Sequence, residues 1–459
     1  MTDYQDYIVN KMRSSDMVGL EPGALSAKLF NYQADLVRWA LRRGRAALFA
    51  DTGLGKTFMQ VEWARQVSEQ RGRVLILAPL AVANQTVREG QKLGVPIVYR
   101  REDAGDPITI ANYEMMQHFD PAMFAGIVLD ESSILKAFDG KTRQEIIDTY
   151  REVPFKLACT ATPSPNDFTE LGNHSEFLGI KTRTEMLAEY FVHDMDNTQE
   201  WRLKGHAIDA FWTWVCSWGA LIRKPSDLGY SDDGFALPAL RMHERIVDVA
   251  HEDFHDQGFL LAPEAVTLSD QRATRRATMD KRVTIAAELA KGDGAVLIWG
   301  ELNDETDQVT KAIPGAVNVK GADTPESKSS NMLAFSDGKV RVMVSKASIC
   351  GFGMNWQHCN RMIFLGASHS YEQVYQAIRR CWRFGQKHPV DVYVIRASTE
   401  GSIVANFRQK EADAARMGQE MAARVKDILL AEIRGTKKEW NPYDPKNEMT
   451  IPSWLKVDA

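Results

Sequence analysis

The chain has little of what marks several protein classes. Its longest apolar stretch, Val74 to Ala83, falls far short of the roughly 20 residues that cross a bilayer, so no membrane span is expected. The opening Met1-Thr-Asp-Tyr-Gln-Asp6 has neither a basic nor an apolar region of the secretory kind, which points to a cytoplasmic protein. Five cysteines (Cys159, Cys216, Cys350, Cys359, Cys381) show no CxxC spacing and read as reduced thiols rather than as disulfides or a zinc site. Positive charge is not in excess: 56 Lys and Arg against 61 Asp and Glu give a net charge of −5, so a polyanion would have to meet a local basic surface. His174, His193 and His206 show no metal-ligand spacing, and no internal repeat is found.

What is present is the composition of a soluble globular protein, long enough at 459 residues for two or three domains. Two stretches alternate short Val/Ile/Leu runs with helical patterns, the rhythm of strands buried on both faces of a parallel α/β sheet. In the first, residues 28–180, the candidate strands are Ala46–Ala50, Val74–Ala78, Ile97–Tyr99, Ile108–Ala111, Ile127–Leu129 and Phe155–Cys159. In the second, residues 241–435, they are Ala295–Trp299, Ala316–Val319, Val340–Val344, Arg361–Leu365 and Val390–Ile395. Residues 1–27 form an N-terminal extension and 436–459 a tail with little periodicity. Between the two lobes, 181–240 read as a small helical insertion and hinge. Four tryptophans (Trp201, Trp212, Trp214, Trp218) fall there, followed by a Gly/Pro/Asp/Ser-rich connector at 225–238. The tryptophans could stack on bases or form the insertion's core. The six-residue spacing of Trp212 and Trp218 among apolar neighbours favours the core.

Ala50-Asp-Thr-Gly-Leu-Gly-Lys-Thr57 lies between an apolar run and an amphipathic helix, the setting a phosphate-binding loop requires. Thr52, Gly53 and Gly55 shape a turn whose N–H groups can face phosphate, Lys56 would reach the β- and γ-phosphates, and the Thr57 hydroxyl would hold Mg²⁺. A second apolar run ends in adjacent acids, Asp130 and Glu131. Asp130 would meet Mg²⁺ through water and Glu131 would polarise the attacking water.

With these residues the chain resembles superfamily 2 helicases of the SNF2-like group over about 28–400. Leu29-Phe-Asn-Tyr-Gln33 is similar to the motif whose Gln reads adenine. Gln85 and Arg88 stand where the family has motif Ia, and Thr109-Ile-Ala-Asn112-Tyr113 resembles motif Ib. Asp130-Glu-Ser-Ser-Ile-Leu-Lys136 resembles the DEAH box with Ser133 in the His position, and Leu157-Ala-Cys-Thr160-Ala-Thr162-Pro163 resembles motif III. Ser345-Lys346 through Gly353-Met-Asn355-Trp356 is similar to motif V. Gln376-Ala-Ile-Arg-Arg380-Cys-Trp-Arg383-Phe-Gly-Gln386 matches the SNF2 form of motif VI at every fixed position. The aspartate-tryptophan element that follows motif V in the family is absent. The run Thr162 to Gly172 and the tryptophan segment resemble compact phage and prophage members.

The resemblance implies two RecA-like lobes sharing one ATP and Mg²⁺. Gly353, Asn355 and Gln376 would help hold the nucleotide, and Thr160 and Thr162 would couple the lobes. Arg380 and Arg383, three apart on one helix face, would act across the cleft as arginine fingers. Gln85, Arg88, Asn112, Ser345 and Lys346 are the candidate grip on nucleic-acid phosphates, and the basic run 271–282 is either a further grip or a solvated face. The leading expectation is an ATP-dependent double-stranded DNA translocase that remodels forks, junctions or bound protein. The alternatives are an RNA or single-strand helicase, and an ATP-dependent recruiting subunit for a methyltransferase or nuclease.

Overall fold

The computed structural model describes residues 19–136, 140–164, 167–193, 201–249, 274–350, 354–366, 371–400 and five positions between 426 and 433. It has the α/β architecture expected. The first lobe is a seven-stranded parallel sheet in the order β3-β4-β2-β5-β6-β1-β9. These strands are β1 (Arg45–Ala50), β2 (Val74–Ala78), β3 (Val98–Tyr99), β4 (Ile108–Asn112), β5 (Gly126–Asp130), β6 (Phe155–Cys159) and β9 (Gly219–Ile222). A two-stranded antiparallel ribbon, β7 (Phe191–His193) with β8 (Trp201–Leu203), lies beside them. Every residue of β2, β4, β5 and β6 is buried, which explains why apolar residues dominate these runs, with Thr109, Asn112, Asp130 and Lys156 as the buried exceptions.

Strand β9 falls in the stretch read from sequence as helical. It pairs with β1 at the sheet edge, and its Ile222 carbonyl accepts from the Asp51 N–H (2.9 Å), so it supports the first residue of the glycine turn after β1. The helix Ile208–Trp218 before it buries Trp212 and Trp218 in the first lobe's core, with Trp214 stacked on Tyr190. The tryptophans serve packing, and residues 201–228 belong to this core rather than to a separate body.

The second lobe is a six-stranded parallel sheet ordered β10-β15-β14-β11-β13-β12. Its strands are β10 (Leu240–Val247), β11 (Val296–Gly300), β12 (Val317–Val319), β13 (Val342–Lys346), β14 (Arg361–Phe364) and β15 (Val390–Ala397). One apolar cluster lies on each face of it. The described part of the basic run 271–282 is largely internal. Arg275 and Arg282 are buried and ion-paired to Glu305 and Glu400, which excludes them from a nucleic-acid grip.

The connector 225–238 packs rather than flexes. Tyr230 hydrogen-bonds Asp35 and Phe235 meets Tyr32 and Phe30, all in the first lobe. Phe235 also stacks on Phe384 of the second lobe (4.7 Å between centroids), and Trp382 Nε1 donates to the Pro238 carbonyl (2.7 Å). Composition announced a loop; the aromatic rings bind it down. The tail 436–459, Gly353 and the residues at 271–273 lie outside the described residues. Among the described residues no helix is long and apolar enough to cross a membrane, and Cys159, Cys216, Cys359 and Cys381 are buried free thiols.

Candidate active site

Parallel strands place their C-terminal ends on one edge, and there β5, β6 and β1 set Asp130, Thr160 and the loop after Ala50 side by side. The loop closes through two left-handed glycines, Gly53 (φ 93°) and Gly55 (φ 74°), the second capping the 16-residue helix Lys56–Arg71. A β-carbon at Gly55 would both strain its left-handed backbone and press on Gln33 Nε2, 2.3 Å away, so the position favours glycine. Thr52 Oγ1 is buried with no hydrogen-bond partner, and Thr57 begins the helix half-buried behind Lys56. Lys56 Nζ donates to the Ala50 carbonyl (2.8 Å). Burial pushes its ammonium below the usual lysine range, with Glu131, Asp51 and Asp130 opposing and Arg383 of the second lobe adding to the fall.

Asp130 is buried, and its Oδ1 accepts from Gln60 Nε2 (2.8 Å) and from the Glu131 N–H (3.0 Å). Burial and then the Glu131 charge raise its carboxyl to about 6, with Gln60 and Lys56 pulling the other way. Glu131 is the one non-glycine at positive φ (52°) among the described residues, a left-handed conformation that costs an L-residue about 1 kcal/mol or more. Its Oε2 is buried without a hydrogen-bond partner. A carboxyl raised by a second one beside it, with an oxygen left unpaired, is a site that a divalent cation would relieve. Asp130 and the Thr57 hydroxyl are the residues that fit it.

The second lobe reaches this edge directly. The Tyr375 hydroxyl donates to Asp51 Oδ1 (3.1 Å), and Arg379 Nη2 pairs with Asp51 Oδ2 (2.8 Å) and the Thr52 carbonyl (2.9 Å). Motif VI therefore faces the cleft, with its two arginines doing different work. Arg380 is braced within its own lobe by Gln376 Oε1 (2.9 Å), the Gln376 carbonyl (3.0 Å) and the Met354 carbonyl (3.5 Å). Arg383 keeps a buried Nε without a hydrogen-bond partner. Burial and the neighbouring Arg380 and Arg379 push its guanidinium down to about 9, with Glu131 opposing. Cations crowded against each other in a half-buried cleft form a receptor for a polyanion.

The remaining expected residues separate into those that meet and those that do not. Gln376 Nε2 reaches Thr162 Oγ1 (3.5 Å), and the Thr162 N–H donates to Thr160 Oγ1 (3.1 Å), so these three form a path between lobes. Asn355 Oδ1 and Gln85 Oε1 are buried without hydrogen-bond partners, Arg88 is exposed and Lys346 is half-buried. Gln33 does not present a free edge to a base: Nε2 donates to the Leu54 carbonyl (2.9 Å) and Oε1 accepts from the Phe30 N–H (3.0 Å). Asn112 is taken up by Tyr99 (3.1 Å) and Glu114 (2.7 Å), and Ser345 is buried against the Val319 carbonyl (2.8 Å). These internal bonds satisfy polar groups at strand ends, so neither side chain is turned toward a bound strand.

Sequence reasoning missed Asp51, Tyr375, Arg379 and Phe384, which packs over Gly53 and Phe30. The signal for Arg379 was adjacent: a third arginine beside Arg380, off the face that the motif spacing picks out.

Residues 280–385 match the family described as the helicase conserved C-terminal domain. No relative among curated proteins matches the chain. Among solved structures it is similar to the Sulfolobus solfataricus SWI2/SNF2 ATPase core in complex with dsDNA, at 17% identity and a TM-score of 0.41, over 90% of this chain and 98% of that one. The likeness to a helicase conserved C-terminal domain therefore lies within the second lobe and takes in Gln376 to Gly385 of the motif VI run.

Proposed function

We propose that the chain is an ATP-driven nucleic-acid motor whose track is double-stranded DNA. The observation that carries the reading is the direct contact of the two lobes at the glycine turn, Tyr375 and Arg379 on Asp51 and Thr52, which sets Arg383 and Lys56 in one half-buried, cation-crowded cleft beside Glu131. Lys56 and the N–H groups of the glycine turn bind the β- and γ-phosphates, and Thr57 and Asp130 hold Mg²⁺, which supplies charge neutralisation when bound. Glu131 orients the attacking water and takes its proton. Arg383 stabilises the charge that develops on the transferred phosphoryl group, and Arg380 holds motif VI in shape.

Gln376, Thr162 and Thr160 carry the loss of that bridge from one lobe to the other, so each turnover loosens and resets the cleft. Arg88, Gln85 and Lys346 are the grip on phosphates. The SNF2 form of motif VI supports duplex tracking over strand separation.

The test is an ATPase assay with no nucleic acid, single-stranded DNA, duplex DNA, branched DNA and RNA. Duplex or branched DNA is expected to stimulate most. Stimulation by RNA alone would replace the DNA reading. Turnover indifferent to all of them, with an enzyme that co-purifies, would replace the motor by a recruiting subunit.

A further inference from the structure

The turn that carries Glu131 is held from both sides. On one side the Tyr113 hydroxyl donates to the Asp130 carbonyl (2.8 Å), and burial raises that phenol well above the usual tyrosine range. On the other side Ser132 Oγ lies 3.1 Å from His174 Nε2, with both residues fully buried. Between these contacts sits Glu131, in a backbone conformation that a glutamate does not adopt unless its surroundings impose it. Ser133 Oγ and the Ile134 N–H also turn back to the Glu131 carbonyl (3.4 and 3.3 Å), but both bonds lie within the turn and do not tie it to the rest of the lobe.

His174 belongs to the helix Leu171–Leu178, 42 residues from Ser132. Its ring meets Phe49 edge to face (5.2 Å between centroids), and Phe49 is the penultimate residue of the strand that delivers the phosphate loop. One imidazole thus touches the strand that carries the phosphate loop and the turn that carries the base. A buried polar pair with no access to solvent has a defined geometry and transmits it to what it holds.

We propose that His174 is a positioning residue for Glu131: through Ser132 it fixes the left-handed turn that aims the Glu131 carboxylate into the cleft. The inference rests on the ATPase reading for its kinetic consequence but not for its structural one. If Glu131 is aimed by this pair, loosening the pair displaces the base relative to the attacking water and leaves the phosphate-binding groups where they are. A misplacement of about 1 Å costs on the order of a hundredfold in rate.

The experiment uses the full chain with His174→Ala, His174→Gln, Ser132→Ala and the Ser132→Ala/His174→Ala double variant. It measures ATP turnover, equilibrium affinity for a fluorescent ATP analogue, thermal midpoint and amide exchange over residues 126–136. His174→Ala and Ser132→Ala are each expected to lower kcat about tenfold or more, with analogue affinity within about twofold, and the double variant no worse than the worse single. His174→Gln, whose amide nitrogen occupies the place of Nε2, is expected to recover most of the loss. Exchange is expected to speed up at Ser132 and Ser133 while the β5 amides stay protected.

Losses that add in the double variant and fall equally on affinity and thermal midpoint would reduce His174 to a core residue and overturn the proposal. So would a Ser132→Ala protein with unchanged kcat and unchanged exchange. A wild-type chain that binds the analogue without hydrolysing ATP would sink the ATPase reading instead. The exchange comparison then decides alone: faster exchange at the turn upholds the clamp, and unchanged exchange removes it.

Discussion

The two lobes build the same strand-turn-helix unit and finish it differently. After β1, the turn Asp51–Gly55 leaves a glycine-lined helix start, with Thr52 Oγ1 unpaired beside it. After β11, the turn Glu301–Leu302 leads into the helix Asn303–Ala312, and there the chain supplies its own anion. Glu305 Oε2 accepts from the Glu301 and Leu302 N–H groups (2.9 and 3.0 Å), while its other oxygen lies 3.4 Å from the buried Arg275. A helix start attracts negative charge in either case. The first lobe leaves the place for a ligand; the second fills it with a side chain three residues into the helix. On the proposed ATPase reading, one cleft, one nucleotide and a supporting lobe follow from that difference.

The comparison is easiest to break at the cleft. Lys56→Ala and Arg383→Ala are each expected to lower ATP turnover by about a thousandfold or more, the scale of a lost arginine finger. Lys56→Ala should also lose ATP binding, and Arg383→Ala should keep it; measured turnover close to wild type in either variant would break the two-sided site. Glu131→Gln is expected to stop turnover while retaining ATP and DNA binding, which a binding titration beside the ATPase assay checks.

The second lobe offers the converse. Glu305→Gln weakens the helix cap and leaves Arg275 short of a partner, and is expected to cost on the order of 3 kcal/mol in urea unfolding without changing ATP affinity. Calorimetric titration of the wild type should count one nucleotide per chain. A second site of similar affinity would mean that Glu305 does not close the second lobe's helix start.

The smallest effect concerns how each lobe buries cations. The second pairs Arg275 and Arg282 with carboxylates, whereas the first sets Lys156 Nζ against the Arg151 and Phe177 carbonyls (2.9 and 3.0 Å). Burial, aided by Arg45, pushes the Lys156 ammonium down to about 7. Above that pH the unfolded chain holds a proton that the folded chain has released, so this group makes stability rise with pH from about 7 toward its unfolded pKa. Below about 7 its cost is constant. Denaturant unfolding at about pH 7 and pH 8.5 should show that rise in wild type and a shallower one in Lys156→Met. Equal slopes would mean that Lys156 does not titrate in this window.

Much of this was legible beforehand, and the exceptions share a cause. Strands β2 and β6 match their expected bounds residue for residue, because a strand buried on both faces is mostly apolar, even though β6 also buries Lys156. Strand β9 was hidden because Gly219-Ala-Leu-Ile222 is a four-residue run attached to a tryptophan-rich helix, too short for periodicity to assign. The packed connector was hidden because Gly, Pro, Asp and Ser announce a turn but not what its two aromatic rings, Tyr230 and Phe235, will touch. Arg380 and Arg383 were assigned together as neighbours on one helix face, but the helix Tyr371–Ile378 ends before them; both stand in the turns that follow, where Arg380 is tied to Gln376 and Arg383 keeps an unpaired Nε.

Sequence alone determined what depends on neighbours along the chain: buried strands, the glycine turn before Lys56, and two acids at the end of a strand. These are local properties of backbone conformation and periodicity. Tertiary structure decided which of those groups keep an unpaired atom. Gln33, Asn112 and Ser345 spend their hydrogen bonds inside the protein, while Glu131 Oε2 and Arg383 Nε keep none. It also set Asp51 against Arg379 and Ser132 against His174. Such pairings join residues far apart in sequence, and their partners are chosen by the packing of whole lobes rather than by any spacing along the chain.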